Sequence, residues 1–412
     1  MSETKRLGFS TRALHEGYDP KEHNGARVPP LYQTTAYLFN DAEHAAKLFK
    51  LEEAGYIYTR LNNPTVDVLE KRIASLEGGL AGLAFASGMA AISGTILTLL
   101  RPGDEIVSSS SLYGGTYNLF SVTLPKMGIK TRFVNLSEPD GFKAAINKNT
   151  KALYAETIGN PKIDVPDFDA LAKIAREAEI PFIVDNTTAS PYLCRPLELG
   201  ANLVIHSASK FIGGHGNSLG GLVVEGAGFE WLRRFPHLEP YKDFPVPFSV
   251  CARVEILRDY GAALAPLNAL LLIQGLETLS LRMERHSQNA LAVARYLAGR
   301  KEVSYVNYPG LEESPSNALA KKYLPKGCGA LLSFGVKGGY EAGKKLVDSV
   351  GFIHHLANLG DTKTLVLHPA STSHEQLKPE ERTAAGAPDE LIRMSIGLED
   401  VEDIIADIER GF

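Results

Sequence analysis

Between residues 80 and 225 short apolar runs alternate with longer helical patterns, and that alternation leaves few folds open. The runs are Leu83-Ala84-Phe85-Ala86, Glu105-Ile106-Val107, Lys130 to Val134, Ala152-Leu153-Tyr154-Ala155, Phe182-Ile183-Val184-Asp185, Leu203-Val204-Ile205 and Gly221-Leu222-Val223-Val224. Most are continuous rather than alternating, the pattern of a strand buried on both faces. Helical stretches such as Ala90 to Leu100 and Asp169 to Ala178 separate them. The spacing predicts an α/β fold with a mostly parallel seven-stranded sheet.

The flanks read differently. Residues 1–60 carry few periodic elements, yet Tyr56-Ile57-Tyr58-Thr59-Arg60 and Asn62-Asn63-Pro64 are too specific for plain linker. Thr65 is placed to cap a helix through Val68, Leu69, Ile73 and Leu76. Residues 226 to 265 read as irregular, with Pro236, Pro240, Pro245 and Pro247, and one long helix is expected from Pro266 to Leu297. Beyond Lys301 separated strands and helices suggest a smaller C-terminal α+β domain. The expected division is an arm over 1–60, a large domain over 61–265 and a C-terminal domain over 266–412.

Composition excludes several classes. At 44% hydrophobic and 22% charged, with a net charge of −5 and no basic run, the 412 residues suggest neither nucleic acid nor a membrane as partner. Cys194, Cys251 and Cys328 are far apart and show no metal-binding spacing, which fits a reduced, cytoplasmic compartment. The first residues lack an apolar core of signal-peptide length.

Parallel sheets bind ligands beyond the carboxyl ends of their strands. Ser87-Gly88 follows the first strand and opens a helix, so it is either a simple cap or an anion site. Tyr113, beside Gly114-Gly115, either packs in its loop or stacks on a flat ligand. Asn160 follows the fourth strand. Asp185 either caps Thr187-Thr188 or faces a cationic ring nitrogen. Lys210, flanked by Ser207 and Ser209 and followed by glycines, is either a surface lysine or a buried amine with a depressed pKa, suited to Schiff-base chemistry. Together these strand ends supply what pyridoxal 5'-phosphate requires: an anion site, a lysine, an acid partner for the ring nitrogen and a stacking aromatic.

Longer segments carry a resemblance. YTRLNNPT at 58–65, ASGMAAI at 86–92, LYGGTY at 112–117, ETIGNP at 156–161, VDNT at 184–187, HSASKFIGGH at 206–215, LGDTKTLVLHPAS at 359–371 and IRMSIGLED at 392–400 resemble the cysteine/methionine-metabolism group of fold-type I pyridoxal-phosphate enzymes. The resemblance implies that Lys210 carries the cofactor, that Asp185 pairs with its pyridinium nitrogen and that Tyr113 stacks on its ring. Gly88, Met89, Ser207 and Ser209 would hold the phosphate, and Asn160 would contact the ring oxygen. Tyr58 and Arg60 would reach the phosphate of a neighbouring subunit's cofactor, which makes a dimer the catalytic unit; the resemblance adds the expectation of a homotetramer. Arg393 would clamp the substrate α-carboxylate, with Asn358 beside it, where many relatives place serine.

Within the group, residues 252–286 and 359–374 look like the O-acetylhomoserine sulfhydrylase branch. The methionine γ-lyases of the group have YGCT where this chain has Tyr113-Gly114-Gly115-Thr116, and the missing cysteine argues against that lyase. The implied reaction is γ-replacement of acetate by sulfide on O-acetyl-L-homoserine, giving L-homocysteine. Cystathionine γ-synthase, O-succinylhomoserine sulfhydrylase and the methionine or cystathionine γ-lyases are the same-fold alternatives. A dinucleotide-binding dehydrogenase would need a GxGxxG opening its first helix, and none is present there. A non-catalytic binding module is opposed by the intact Lys210, Asp185 and Tyr113.

Overall fold

The computed structural model describes residues 7–412 except 374, 377, 379, 381 and 383–385. Residues 1–6 of the arm, and His374 at the end of the 359–374 segment, lie outside the described residues.

Seven strands form the first sheet: β1 (Ala81–Phe85), β2 (Glu105–Ser109), β3 (Lys130–Val134), β4 (Thr150–Glu156), β5 (Phe182–Asp185), β6 (Leu203–Ser207) and β7 (Gly221–Glu225). Their order is β1-β7-β6-β5-β4-β2-β3. Only β7 runs against its neighbours, so the sheet is mostly parallel. Ala152, Leu153, Tyr154 and Ala155 are fully buried on β4, as are Phe182, Ile183 and Val184 on β5. Alternate residues feed two separate apolar clusters, one on each face: Leu153 and Val184 in one, Tyr154 and Ile183 in the other.

The helix Pro64–Glu77 covers one face. Its apolar stripe, Leu69, Ile73 and Leu76, is completely buried, worth about 1.5–3 kcal/mol per side chain. Its cap is Asn63, not Thr65: Asn63 Oδ1 accepts from the Thr65 amide at 3.0 Å, and Pro64 occupies the first helical position. The Thr65 hydroxyl is engaged elsewhere, accepting from the Tyr32 amide and donating to the Pro30 carbonyl, and so ties the arm to the helix. Gly78 ends the helix at φ 81°, a conformation glycine adopts freely.

The expected long helix after Pro266 is two helices, Pro266–Glu277 and Leu279–Ala298, broken at Thr278 (φ −110°, ψ 8°). Arg282 explains the break. Its guanidinium donates to the Gly275 carbonyl at 2.6 Å, to Phe211 at 2.6 Å and to Ile212 at 3.1 Å. Both helices are thereby pinned to the segment that follows Lys210. Residues 231–260, expected to be irregular, form short helical segments, among them Trp231–Arg234 and Pro247–Cys251. Trp231 stacks on Phe248 between them with ring centroids 5.4 Å apart.

A second sheet has the order β10-β11-β12-β9-β8, from β8 (Val303–Asn307), β9 (Leu331–Val336), β10 (His354–His355), β11 (Leu365–Leu367) and β12 (Leu391–Ser395). Its own cluster includes Leu332, Phe334, Ile392 and Met394. Among the described residues no helix is long and apolar enough to cross a membrane.

Candidate active site

The carboxyl ends of β1, β2, β4, β5 and β6 share one edge of the first sheet, and β12 approaches it from the second. A cavity of about 220 Å³ lies between them. It is lined by Gly88, Met89, Tyr113, Asn160, Asp185, Ser207, Ser209, Lys210, Asn358 and Arg393, all named from the sequence. Tyr58 and Arg60 are not among its lining residues. They form their own pair, the Arg60 guanidinium carbon lying 5.1 Å from the centre of the Tyr58 ring.

The loop after β1 serves two purposes at once. Ser87 Oγ accepts from the Ala90 amide at 3.1 Å and caps the helix Gly88–Leu99. The first amides of a helix have no intrahelical acceptor, so those of Gly88 and Met89 remain available to an anion. A Cβ on Gly88 would stand 2.6 Å from that of Ser207, and one on Gly221 would stand 2.0 Å from the Ser87 carbonyl oxygen. Glycine at both places lets this loop lie directly against β6 and β7.

Asp185 likewise does both things the sequence allows. Its Oδ1 accepts from the Thr187 amide at 2.9 Å and hydroxyl at 2.5 Å. Its Oδ2 has only a 3.5 Å contact from the Tyr154 hydroxyl. Burial pushes the carboxyl pKa up, and the Thr187 bonds oppose the shift. No lysine or arginine pairs with Asp185 among the described residues, so a buried acid faces the cavity without a counter-ion.

Lys210 donates from Nζ to Asn358 Oδ1. Burial first, then the Arg393 charge, lowers its pKa below the ordinary lysine value. Arg393, on β12, donates to Asn160 Oδ1 at 3.4 Å and to the Asn358 carbonyl at 3.3 Å. It has no carboxylate partner among the described residues. Tyr113 is 48% exposed, and its amide donates to Glu156 Oε1 at 2.7 Å.

Sequence reasoning passed over Glu156, Thr188, Ala357 and Leu359, which also line the cavity. Glu156 carried a usable signal: it is a carboxylate at the end of a buried strand, like Asp185. The small and apolar residues of the 357–359 loop carried none. A larger groove of about 850 Å³ beside Arg253, Glu70, Lys71 and Asp67 is open, and these charges are already paired with one another.

The model of the Cys/Met metabolism PLP-dependent enzyme family matches residues 10–412. The chain belongs to that family. It is 49% identical to the O-acetyl-L-homoserine sulfhydrylase of Leptospira meyeri, over 97% of this chain and 96% of that one. It is also 49% identical to the homocysteine synthase of Schizosaccharomyces pombe, over 98% and 97%. A crystal structure described as an O-acetylhomoserine (thiol)-lyase from Campylobacter jejuni, containing a pyridoxyl-lysine phosphate, superposes with a TM-score of 0.93 at 40% identity, over 98% of this chain and 99% of that one.

Pyridoxal phosphate is the cofactor of this family, and the cavity suits it. The unpaired buried acid of Asp185 matches a pyridinium nitrogen. The open amides at Gly88 and Met89 match a phosphate. The depressed Lys210 amine matches an aldehyde, and half-exposed Tyr113 is free to cover a ring.

Proposed function

We propose that the protein catalyses γ-replacement, converting O-acetyl-L-homoserine and sulfide to L-homocysteine and acetate. The observation that carries this reading is the convergence of Lys210, Asp185, Tyr113 and Arg393 on one cavity, in a chain about half identical to sulfhydrylases of this name. The cofactor, when bound, supplies an electron sink conjugated to the substrate Cα.

The chain's own residues do the rest. Arg393 holds the α-carboxylate, steered by Asn160 and the Asn358 carbonyl; a guanidinium suits a bidentate carboxylate contact. Lys210 Nζ takes the Cα proton and then a Cβ proton, its lowered pKa keeping part of it neutral and basic. Asp185 remains an anion against the ring nitrogen. Tyr113 gives or relays a proton near Cγ as the Cγ–O bond to acetate breaks. Hydrosulfide then forms the new Cγ–S bond, and the protons return to Cβ and Cα.

In the same reading residues 1–60 are an arm that carries Tyr58 and Arg60 to a neighbouring subunit's phosphate. Residues 61–265 and 266–412 are then the large and C-terminal domains of each subunit of a cytoplasmic homotetramer. The position of Tyr58 and Arg60 outside the cavity of their own chain supports this. The decisive assay gives purified holoenzyme the acetyl, succinyl and phospho esters of homoserine, each with sulfide or cysteine. Homocysteine from the acetyl ester and sulfide is expected. Cystathionine formation, or turnover of methionine without homocysteine synthesis, refutes the assignment in favour of a synthase or lyase.

A further inference from the structure

Glu156 closes β4 and stands in register with Asp185, the last residue of β5. Parallel neighbours in register present their side chains to the same face, from backbones about 4.8 Å apart. Both residues line the cavity, at 5% and 7% exposure. Two carboxylates so close in a water-poor site cannot both ionise cheaply, so one of them keeps a proton.

The surroundings decide which. Asp185 accepts two hydrogen bonds from Thr187, which favour its anion. Glu156 accepts one, from the Tyr113 amide at 2.7 Å, and forms no ion pair among the described residues. The other groups facing Glu156 are Asp185 on β5 and Asp164 in the following loop, both of which raise its pKa. Tyr154 lies on its own strand. Neither cation of the cavity bonds Glu156: Lys210 donates to Asn358, and Arg393 to Asn160 and Asn358. Burial, followed by the charge of Asp185, pushes the Glu156 carboxyl well above the usual range.

We propose that Glu156 is a neutral carboxylic acid that positions Tyr113 through the Tyr113 amide and leaves Asp185 as the single anion available to the cofactor's ring nitrogen. The acid fixes the main chain from which the Tyr113 ring projects. Its neutrality keeps the field at the ring nitrogen that of one carboxylate. This rests on the cofactor reading above, and deepens it.

The test uses Glu156→Gln and Glu156→Ala in the holoenzyme, with cofactor affinity measured by refilling the apoprotein. Glutamine copies the neutral acid. It should leave kcat, KM and cofactor affinity within about twofold of the parent, with the same dependence of cofactor absorbance on pH. Alanine removes the Tyr113 anchor. It should lower kcat about tenfold and weaken the visible circular dichroism of the bound cofactor. A shifted absorbance titration or a tenfold loss of cofactor affinity in Glu156→Gln would show an ionised Glu156 and overturn the proposal. Unchanged dichroism and kcat in Glu156→Ala would overturn the positioning role. Infrared difference spectra of parent and Glu156→Gln apoprotein should contain the C=O stretch of a protonated carboxyl, and its absence also overturns the proposal. That last readout needs no cofactor, so it stands even if the parent protein fails to bind pyridoxal phosphate, which would instead defeat the underlying reading.

Discussion

Lys210 and Asn358 are joined by a hydrogen bond that spans 148 positions of sequence, from the lysine Nζ to the side-chain oxygen of the asparagine. The main-chain carbonyl of the same asparagine accepts from Arg393 at 3.3 Å. One residue thus links the amine of the first sheet to the guanidinium of the second. The two cations cannot neutralise each other, and Arg393 depresses the Lys210 pKa. Asn358 gives both a neutral acceptor, which orients them without removing either charge.

Lys210→Ala should purify colourless and hold pyridoxal phosphate only by its phosphate and ring contacts. Loss of the proton carrier should cost about 10²–10⁴-fold in kcat or more. Absorbance of the purified protein and a single-turnover assay check this. A yellow, active variant would assign the chemistry to another amine.

Arg393→Ala should act on substrate rather than cofactor. The guanidinium contacts Asn160 and Asn358 but no carboxylate among the described residues, so its unfilled capacity points to the substrate. A charge-assisted pair is worth about 1.5–3 kcal/mol, which is about 10–100-fold in kcat/KM, expressed mostly as a raised KM. Equal kcat/KM in the two proteins would remove Arg393 from the carboxylate site. Arg393→Lys should recover only part of the loss, because an ammonium lacks the planar fork.

Much of this site was legible because strand ends obey a simple rule. Lys210, Asp185, Tyr113, Asn160 and Gly88 each follow an apolar run, and parallel topology brings such positions to one edge. The misses have equally local causes. Thr65 is a good capping residue by type, but Asn63 lies one residue before Pro64, where the helix can start, and the Thr65 hydroxyl serves the arm instead. The break at Thr278 depends on Arg282 reaching carbonyls about 70 residues away, at Phe211 and Ile212, which no helical periodicity encodes. Glu156 ends a buried strand as Asp185 does, so its carboxylate was visible in the sequence; its pairing with Asp185 on another strand was not.

Arg60 offers a test of shared sites. It lies outside the cavity of its own chain, over the Tyr58 ring. Arg60→Ala should weaken cofactor retention although it touches nothing in that cavity. Mixing Arg60→Ala and Lys210→Ala subunits should restore activity, since half of the sites in a hybrid dimer would combine an intact Arg60 with an intact Lys210. Hybrids no more active than the separate variants would confine each site to one chain.

Glu225 predicts how stability depends on pH. It ends β7 fully buried, with its Oε2 accepting from the Ser249 amide at 2.8 Å. Burial raises its pKa from 4.5 to about 7 against the pull of that hydrogen bond. The folded protein therefore holds this proton more tightly than the unfolded chain does. The resulting stability is fully present below about pH 4.5 and is lost as pH rises through about 7, a change of about 3 kcal/mol. Glu225→Gln keeps the neutral shape and removes the titration. Melting temperatures of the two proteins should therefore diverge between pH 5 and 8, with the parent losing ground as pH rises. The other buried acids, Asp185 and Glu156 among them, tilt both curves alike, so the difference isolates Glu225. Parallel curves across that range would mean that Glu225 is already ionised in the folded protein at pH 5.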